Sequence, residues 1–183
     1  MRLVTIQNKK VLDILKNGKI YTADFDHIFK LEKNEPVKFM SYQVLMECYG
    51  YKHPPIFCCI LDRKSTFNET KVSKNRVIIE LEVLDTLVNV HNINVWNNMQ
   101  YCIDRGIWTE ETYERYKPYL LNGNLRDIGA IVQSTIPYIN PKWIVGAYEL
   151  PRNFIKKFNP YYILQNISYN KSIPLYEPFR GDL

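Results

Sequence analysis

RLVTIQNKKVLDILKNGKIY, residues 2–21, is the stretch that decides the fold of this chain. Its first six residues predict a short strand. Val11, Ile14 and Leu15 then recur at helical spacing, and Asn17-Gly18 supplies the left-handed residue at which a helix ends at little steric cost. The sequence therefore opens with a strand, a two-turn helix and a return to extended chain, and we expect no signal peptide before this unit.

Composition restricts the class of protein. A length of 183 residues with 46% hydrophobic and 14% aromatic residues suits one domain with its own core. No apolar run reaches the roughly 18 residues that a membrane span needs, so we expect a cytoplasmic protein with no membrane partner. The four cysteines lie in apolar runs, and their spacing fits neither a disulfide framework nor a metal knuckle. We therefore expect reduced thiols and no metal.

The remaining pattern mixes helices and strands. Helices are predicted at residues 37–48, at 95–103 and from 109 onward, and the last two are expected to form a hairpin. Strands are predicted at residues 56–61, 76–83, 132–139 and 143–150, and the last two are expected to pair around Asn140-Pro141. This order predicts a single α+β domain with a mixed, mainly antiparallel sheet and a helical hairpin insertion. We assign residues 1–150 to the core, and residues 151–183 to a Pro/Tyr-rich tail that wraps the same domain.

Several common sites are excluded by their missing motifs. The seven glycines form neither a G-x-G-x-x-G nor a G-x-x-x-x-G-K pattern, which argues against Rossmann and P-loop sites. His27, His53 and His91 are far apart and are expected on the surface or in loops. Cys58 and Cys59 lie in an apolar run, where burial disfavours the thiolate, so no nucleophilic cysteine is predicted.

Two carboxylates stand on one face of a predicted strand. Glu80 and Glu82 are separated by one residue, which places them about 7 Å apart along the strand. Such a pair can stabilise an oxocarbenium-like centre or act as an acid/base pair. The alternative is the solvated face of an amphipathic strand.

Two Gln/Thr pairs are candidates for ligand binding. Thr5 and Gln7 share one face of the first strand, and Gln133 and Thr135 repeat the arrangement near the other end of the chain. If the two strands border one cleft, the hydroxyl and amide groups can recognise a small polar ligand. The alternative is that all four are ordinary outward-facing polar residues.

Basic residues form two clusters with tyrosines nearby. Lys9 and Lys10 belong to the first, and Lys156 and Lys157 to the second. Aromatic side chains beside basic ones are a common means of holding single-stranded nucleic acid. A solvated helix face explains the same lysines equally well.

The opening residues 2–7 resemble the Leu-Trp-Thr-Ile-Gln start of a bacterial and phage family of unassigned function. Further short pieces resemble that family in the same order, at residues 41–42, 55–57, 77–83, 96 and 133–135. Val4, Phe57 and Cys59 stand where the family usually carries Trp. The resemblance implies a fold shared over about residues 1–150.

A second, weaker resemblance is to ADP-ribosyltransferases that modify nucleic acids. Their first strand carries a polar residue and a Thr and is followed by a short helix that ends in Gly, as in residues 5–18 here. The resemblance implies a nicotinamide-stacking aromatic, for which Tyr21 and Tyr42 are candidates. It also implies a catalytic Glu, for which Glu149 and the Glu80/Glu82 pair are candidates, with Arg2 as the first-strand arginine.

Two functions follow as hypotheses. The first is an ADP-ribosyltransferase-like enzyme that uses NAD, with Glu82 and Glu149 as catalytic candidates and Thr5, Gln7, Tyr21, Tyr42, Gln133 and Thr135 as ligand-binding candidates. The second is a non-catalytic binding module for nucleic acid or for a host or phage protein.

Overall fold

The computed structural model describes residues 1–26, 28, 36–61, 75–121, 131–149 and 174–176. Within these residues the chain forms four α-helices, seven strands and two short 3₁₀ turns. In chain order they are β1 (Arg2–Asn8), α1 (Lys9–Lys16), α2 (Pro36–Tyr49), β2 (Ile56–Ile60), β3 (Arg76–Glu82), a turn (Asp85–Leu87), β4 (Asn89–Asn92), α3 (Ile93–Asp104), α4 (Glu110–Leu121), β5 (Val132–Ile136), a turn (Pro141–Trp143), β6 (Ile144–Glu149) and β7 (Pro174–Tyr176).

All seven strands belong to one sheet with the order β4-β5-β2-β1-β3-β6-β7. Every pair of neighbouring strands in the described part of the chain is antiparallel. The predicted α+β class is therefore confirmed, and the sheet is antiparallel rather than mixed over these residues.

The central strand β1 divides the sheet into two unequal ladders. It pairs with β3 over its whole length, from Arg2 opposite Glu82 to Asn8 opposite Arg76. With β2 it forms only two residue pairs, Leu3 opposite Ile60 and Val4 opposite Cys59. One half of the sheet is therefore β4-β5-β2, and the other is β1-β3-β6-β7.

The sheet has two buried faces. We call the front face the one that carries Leu3, Ile79 and Ala147, and the back face the one that carries Val4, Phe57, Glu80, His91 and Gln133. The front face packs against α1 through Val11, Leu12 and Leu15. Helix α1 begins at an Asn8 side-chain cap and ends before Gly18, whose φ of 72° few other residues adopt without strain.

Helices α2, α3 and α4 lie beside the back face of β4-β5-β2. Their shared core contains Leu45, Trp96, Met99, Tyr113 and Leu120. Helices α3 and α4 are joined through Gly106, which has a φ of 67°, and they form the predicted hairpin between β4 and β5. No helix within the described residues is both long and apolar enough to cross a membrane.

The predicted hairpin between the two last core strands is wrong. Strand β5 lies between β4 and β2, whereas β6 lies between β3 and β7, so three strands separate them. The Asn140 side chain caps a 3₁₀ turn over Pro141–Trp143, which carries the chain onward instead of folding it back. Of the tail, Pro174–Tyr176 pairs with β6, and the rest lies outside the described residues.

Candidate functional site

Thr5 and Gln7 lie on the front face of β1, where β1 and β2 stop pairing. Thr5 is fully buried, and its Oγ1 donates to the carbonyl oxygen of Phe57 at 2.9 Å. Gln7 Nε2 donates to Thr5 Oγ1 at 2.8 Å. The Thr5 hydroxyl therefore connects β1 to β2 just beyond their short ladder, and its two hydrogen bonds are made within the protein.

Gln133 and Thr135 lie on the back face, because Phe57 is opposite Thr135 and His91 is opposite Gln133. Both are fully buried. Since Thr5 and Gln7 lie on the front face, the expected cleft lined by both Gln/Thr pairs does not form. The reason is register: β2 lies between β1 and β5, and it sets the two pairs on opposite faces of the sheet.

His91 is the centre of a buried hydrogen-bond network on the back face. Its Nε2 is 3.3 Å from Gln133 Oε1 and its Nδ1 is 3.3 Å from Tyr49 Oη. Tyr49 Oη also donates to the carbonyl oxygen of Leu120 at 3.0 Å. Burial lowers the pKa of His91 to about 4, so the imidazole is neutral at physiological pH. The expectation that His91 lies on the surface or in a loop is wrong.

Thr135 belongs to a second, smaller network at the end of β5. Tyr51 Oη donates to the carbonyl oxygen of Thr135 at 3.1 Å, and Asn89 Nδ2 donates to Tyr51 Oη at 2.7 Å. Burial raises the pKa of Tyr51. These bonds join β4, β5 and the segment before β2. They give the buried Thr135 a structural role.

Aromatic rings form a continuous contact path beside these networks. Phe57 contacts Trp96 at a ring-centroid distance of 5.4 Å and Tyr42 at 5.4 Å. Tyr42 contacts Phe25, and Phe25 contacts Phe39 at 4.8 Å. The ligand-binding candidate Tyr42 therefore makes edge-on ring contacts within a row of aromatic residues that reaches from the core to the exposed Phe39.

Tyr21 lies apart from this row of aromatic residues. Its backbone forms an isolated antiparallel bridge with Ile139, and its ring packs against the front-face core. Burial and then Asp24 raise its pKa, while Arg76 lowers it. The structure therefore separates the two aromatic candidates, Tyr21 and Tyr42, onto different faces.

Glu82 and Glu149, the two catalytic candidates, are exposed and lie far from each other. Glu82 is opposite Arg2 on the back face, whereas Glu149 is opposite Val77 on the front face. These positions are five steps apart on β3, which is about 17 Å along the strand. Glu149 forms an ion pair with Lys9 Nζ at 3.3 Å. The structure does not bring the two carboxylates together.

Glu80 is the buried carboxylate of the predicted pair. Its side chain is 3% exposed, although it occupies the middle of β3. Arg2 Nη2 is 3.7 Å from Glu80 Oε2, and the Arg2 side chain is 51% exposed. A charged group is taken out of water only with partners that offset the cost, and here the first-strand arginine is one of them.

Tyr148 lies next to Glu80 because position 146 has no side chain. Gly146 is directly opposite Glu80, and a Cβ added to it would collide with the Tyr148 hydroxyl and ring. The Tyr148 ring therefore lies across Gly146, toward Glu80. Burial and then Glu80 raise the Tyr148 pKa, while Arg2 lowers it. We call Arg2, Glu80 and Tyr148 the Arg–Glu–Tyr cluster.

The basic candidates are only partly described. Lys9 and Lys10 are exposed in the first turn of α1, and the charge of Lys9 is offset by Glu149. Lys156 and Lys157 lie outside the described residues. Binding of nucleic acid at these lysines stays a prediction.

The cysteines and metal ligands add no second site among the described residues. Burial raises the pKa of the Cys58 thiol, which keeps it protonated, and it raises the pKa of Cys48 to about 11. In the part of the chain that the structure describes, no three His, Cys, Asp or Glu side chains are grouped as a metal centre needs.

Sequence reasoning missed two members of these clusters, Tyr148 and His91. The signal for Tyr148 was its place two residues after Gly146 in a strand, since a strand glycine often marks a close approach of another group. The signal for His91 was its alternation with Asn89 around Val90, which is typical of a strand.

Comparisons of the chain with models of known families, with curated proteins and with solved structures found no match.

Proposed function

We propose that this protein is an enzyme that uses NAD as a substrate, of the ADP-ribosyl-transfer type, with the Arg–Glu–Tyr cluster as its site. The observation that carries the proposal is the 3% exposed carboxylate of Glu80 beside the first-strand Arg2, with Tyr148 lying toward it. The strand, short helix and Gly18 of residues 2–18 support the relationship to this class, as does the weaker sequence resemblance.

The chemistry of this reaction matches the groups in the cluster. When the bond between nicotinamide and the ribose carbon breaks, nicotinamide leaves with the bonding electrons and positive charge develops on the ribose. A fixed carboxylate such as Glu80 stabilises that charge. The acceptor's nucleophile then forms the new bond at the same carbon, and in this proposal Glu80 takes its proton.

Arg2 and Tyr148 have binding roles in this proposal. Arg2 is half-exposed, so its guanidinium can bind a pyrophosphate oxygen while it stays beside Glu80. Tyr148 is partly buried in a small apolar cluster with Val4, Ile6 and Ile78. Its ring offers an apolar surface for a planar ligand group, and its hydroxyl offers a donor for a ribose oxygen.

The test is release of nicotinamide from NAD by the purified protein, measured alone and with DNA, RNA and protein acceptors. Glu80→Gln is expected to lower the rate by about 100-fold or more, because the amide removes the negative charge from the site. Arg2→Gln is expected to raise KM for NAD by about tenfold, which corresponds to one lost charge-assisted contact.

Glu82→Gln is the matched control, because it makes the same change two residues away at an exposed position of the same strand and face. Its rate is expected to stay near that of the parent protein. Glu149→Gln is a second control on the front face. Thermal melting must show that each variant is folded. NAD that stays intact with all acceptors, or equal losses in Glu80→Gln and Glu82→Gln, would contradict the proposal.

A further inference from the structure

Two stacked aromatic rings lie at the surface beside the front-face core, and the proposed reaction does not use them. Tyr138 precedes the 3₁₀ turn over Pro141–Trp143, and its ring stacks on the Trp143 ring with centroids 4.9 Å apart and an angle of 24° between the planes. Both side chains are partly exposed. A further flat ring can extend such a nearly parallel pair by stacking on its outer face.

Tyr138 is the outer ring of this pair. The Trp143 ring packs against the front-face core, whereas Tyr138 is not among the residues packed against a hydrophobic core in the described part of the chain. One face of the Tyr138 ring is therefore covered by Trp143, and the other is directed away from the core. The pair is also separate from the Arg–Glu–Tyr cluster, because Glu80 lies on the back face of the sheet.

The antiparallel bridge between Tyr21 and Ile139 brings lysines to this turn. Each of the two residues donates its backbone N–H to the carbonyl oxygen of the other, at 3.0 and 2.8 Å. Because the two segments run in opposite directions, the residues before Tyr21 lie beside those after Ile139. The exposed Lys19 therefore lies next to the turn that carries the exposed Lys142. Lys16, the last residue of α1, is also exposed.

The charges of these lysines are not neutralised locally. Lys16, Lys19 and Lys142 form no ion pair with any of the residues that the structure describes. Asp24 and Arg76, which both act on the hydroxyl of the bridging tyrosine, are of opposite sign and leave the balance positive. The chain as a whole carries a formal net charge of +5. The partner that complements this surface is therefore a polyanion.

We propose that Tyr138, Trp143, Lys16, Lys19 and Lys142 form a binding surface for single-stranded nucleic acid. An unpaired base stacks on the outer face of Tyr138, and the lysines contact the neighbouring phosphates. An acidic protein would complement the lysines as well, but it lacks the regular flat rings that an aromatic pair can hold. That difference favours nucleic acid. The surface does not rest on the proposed NAD reaction.

The test of the charged part is binding of a fluorescent oligothymidylate of about 12 nucleotides, followed by fluorescence anisotropy at increasing salt concentration. The slope of log K against log salt is expected to be about −2, since each of three phosphate contacts contributes about −0.7. Lys19→Gln and Lys142→Gln should each weaken binding and reduce the slope by about 0.7. Lys52→Gln removes one exposed charge in the segment before β2, and this matched control should leave the slope unchanged.

The aromatic part is tested by removing the outer ring. Tyr138→Ala is expected to weaken binding by about tenfold with an unchanged salt slope, because it removes a stacking surface and no charge. Tyr138→Phe keeps the ring and should bind as the parent protein does. Tyr119→Ala, at an exposed position of α4, is the control for loss of a surface tyrosine. Thermal melting checks that each variant is folded, and the lysine variants test the surface even if Tyr138→Ala does not fold.

Three results would overturn the proposal. The first is no change in anisotropy at a low salt concentration of about 50 mM. The second is an equal loss in Lys142→Gln and Lys52→Gln, which would show attraction to the net charge alone. The third is displacement of the oligonucleotide by polyglutamate together with no effect of Tyr138→Ala, which would assign the surface to an acidic protein. Because none of these measurements contains NAD, the NAD assay with Glu80→Gln is independent of them.

Discussion

The two halves of the back face bury polar groups in different ways. On β4-β5-β2, His91 and Gln133 are uncharged and lie in a hydrogen-bond network with Tyr49 beneath the helices. On β1-β3-β6, the buried polar group is the carboxylate of Glu80, which has Arg2 as an ion-pair partner. A neutral network is explained by the stability that its hydrogen bonds supply, whereas a buried charge is costly and points to a chemical role.

The largest effect is expected in the neutral half. Trp96→Ala removes a large buried ring that contacts both Phe57 and His91, and it should lower the free energy of unfolding by about 3–5 kcal/mol. Urea unfolding measures the change. Trp143→Ala, at a partly buried position, is expected to cost clearly less. Equal losses of stability in Trp96→Ala and Trp143→Ala would mean that the aromatic core around Trp96 does not stabilise this half of the sheet.

Acid sensitivity is the next effect, and it also belongs to the neutral half. The pKa of His91 falls from 6.5 to about 4 on folding, because burial disfavours the charged ring. Below about pH 6.5 the unfolded chain binds a proton that the folded chain does not. Stability is therefore present above that pH and is lost as pH falls toward 4, by about 3 kcal/mol in total.

The measurement is Tm or urea stability between pH 4 and pH 7 for the parent, His91→Gln and His53→Gln. His91→Gln is expected to lose stability at neutral pH but to show a flatter pH dependence. His53 is exposed, so its replacement should leave the slope unchanged. A slope that survives in His91→Gln would assign the acid sensitivity to other groups.

The individual helices and strands could be predicted from the sequence better than the pairing of the strands. The alternation at Val77, Ile79 and Leu81 set that strand's front face correctly, and Gly18 ended the first helix where expected. Pairing depends on contacts between distant strands, which local patterns do not encode. For that reason the hairpin around Asn140-Pro141 was wrong.

The candidate site could be predicted only in part for the same reason, because it is built from residues on distant strands. The sequence identified the Glu80/Glu82 pair and Arg2, but only the folded structure shows that Glu80 is the buried member and that Gly146 brings Tyr148 to it. The cleft predicted from Thr5, Gln7, Gln133 and Thr135 does not form, because the register of β2 with β1 and with β5 sets the two pairs on opposite faces. The NAD assay sets the catalytic roles predicted for Glu82 and Glu149 against the role proposed for Glu80, and ligand binding by Tyr21 or Tyr42 stays a prediction.

Gly146→Ala is expected to affect the charged half by a smaller amount. The new methyl group collides with Tyr148, whose ring must move, and overpacking of this kind costs about 1–3 kcal/mol. Urea unfolding of the single variants and of Gly146→Ala with Tyr148→Ala forms a double-mutant cycle. The methyl group should cost much less when Tyr148 is already Ala. Additive changes would show that Tyr148 does not occupy that space.

The smallest effect is expected for the front-face ion pair, which contrasts with the buried pair of Arg2 and Glu80. Lys9 and Glu149 are 46% and 53% exposed, so water screens their attraction. Lys9→Met should change stability by less than about 1 kcal/mol, and 1 M salt should remove most of the difference. The same salt should affect Glu80 less, because that carboxylate is shielded from solvent ions. A large, salt-insensitive loss in Lys9→Met would show that exposure does not distinguish the two ion pairs, and the argument that sets Glu80 apart would lose its basis.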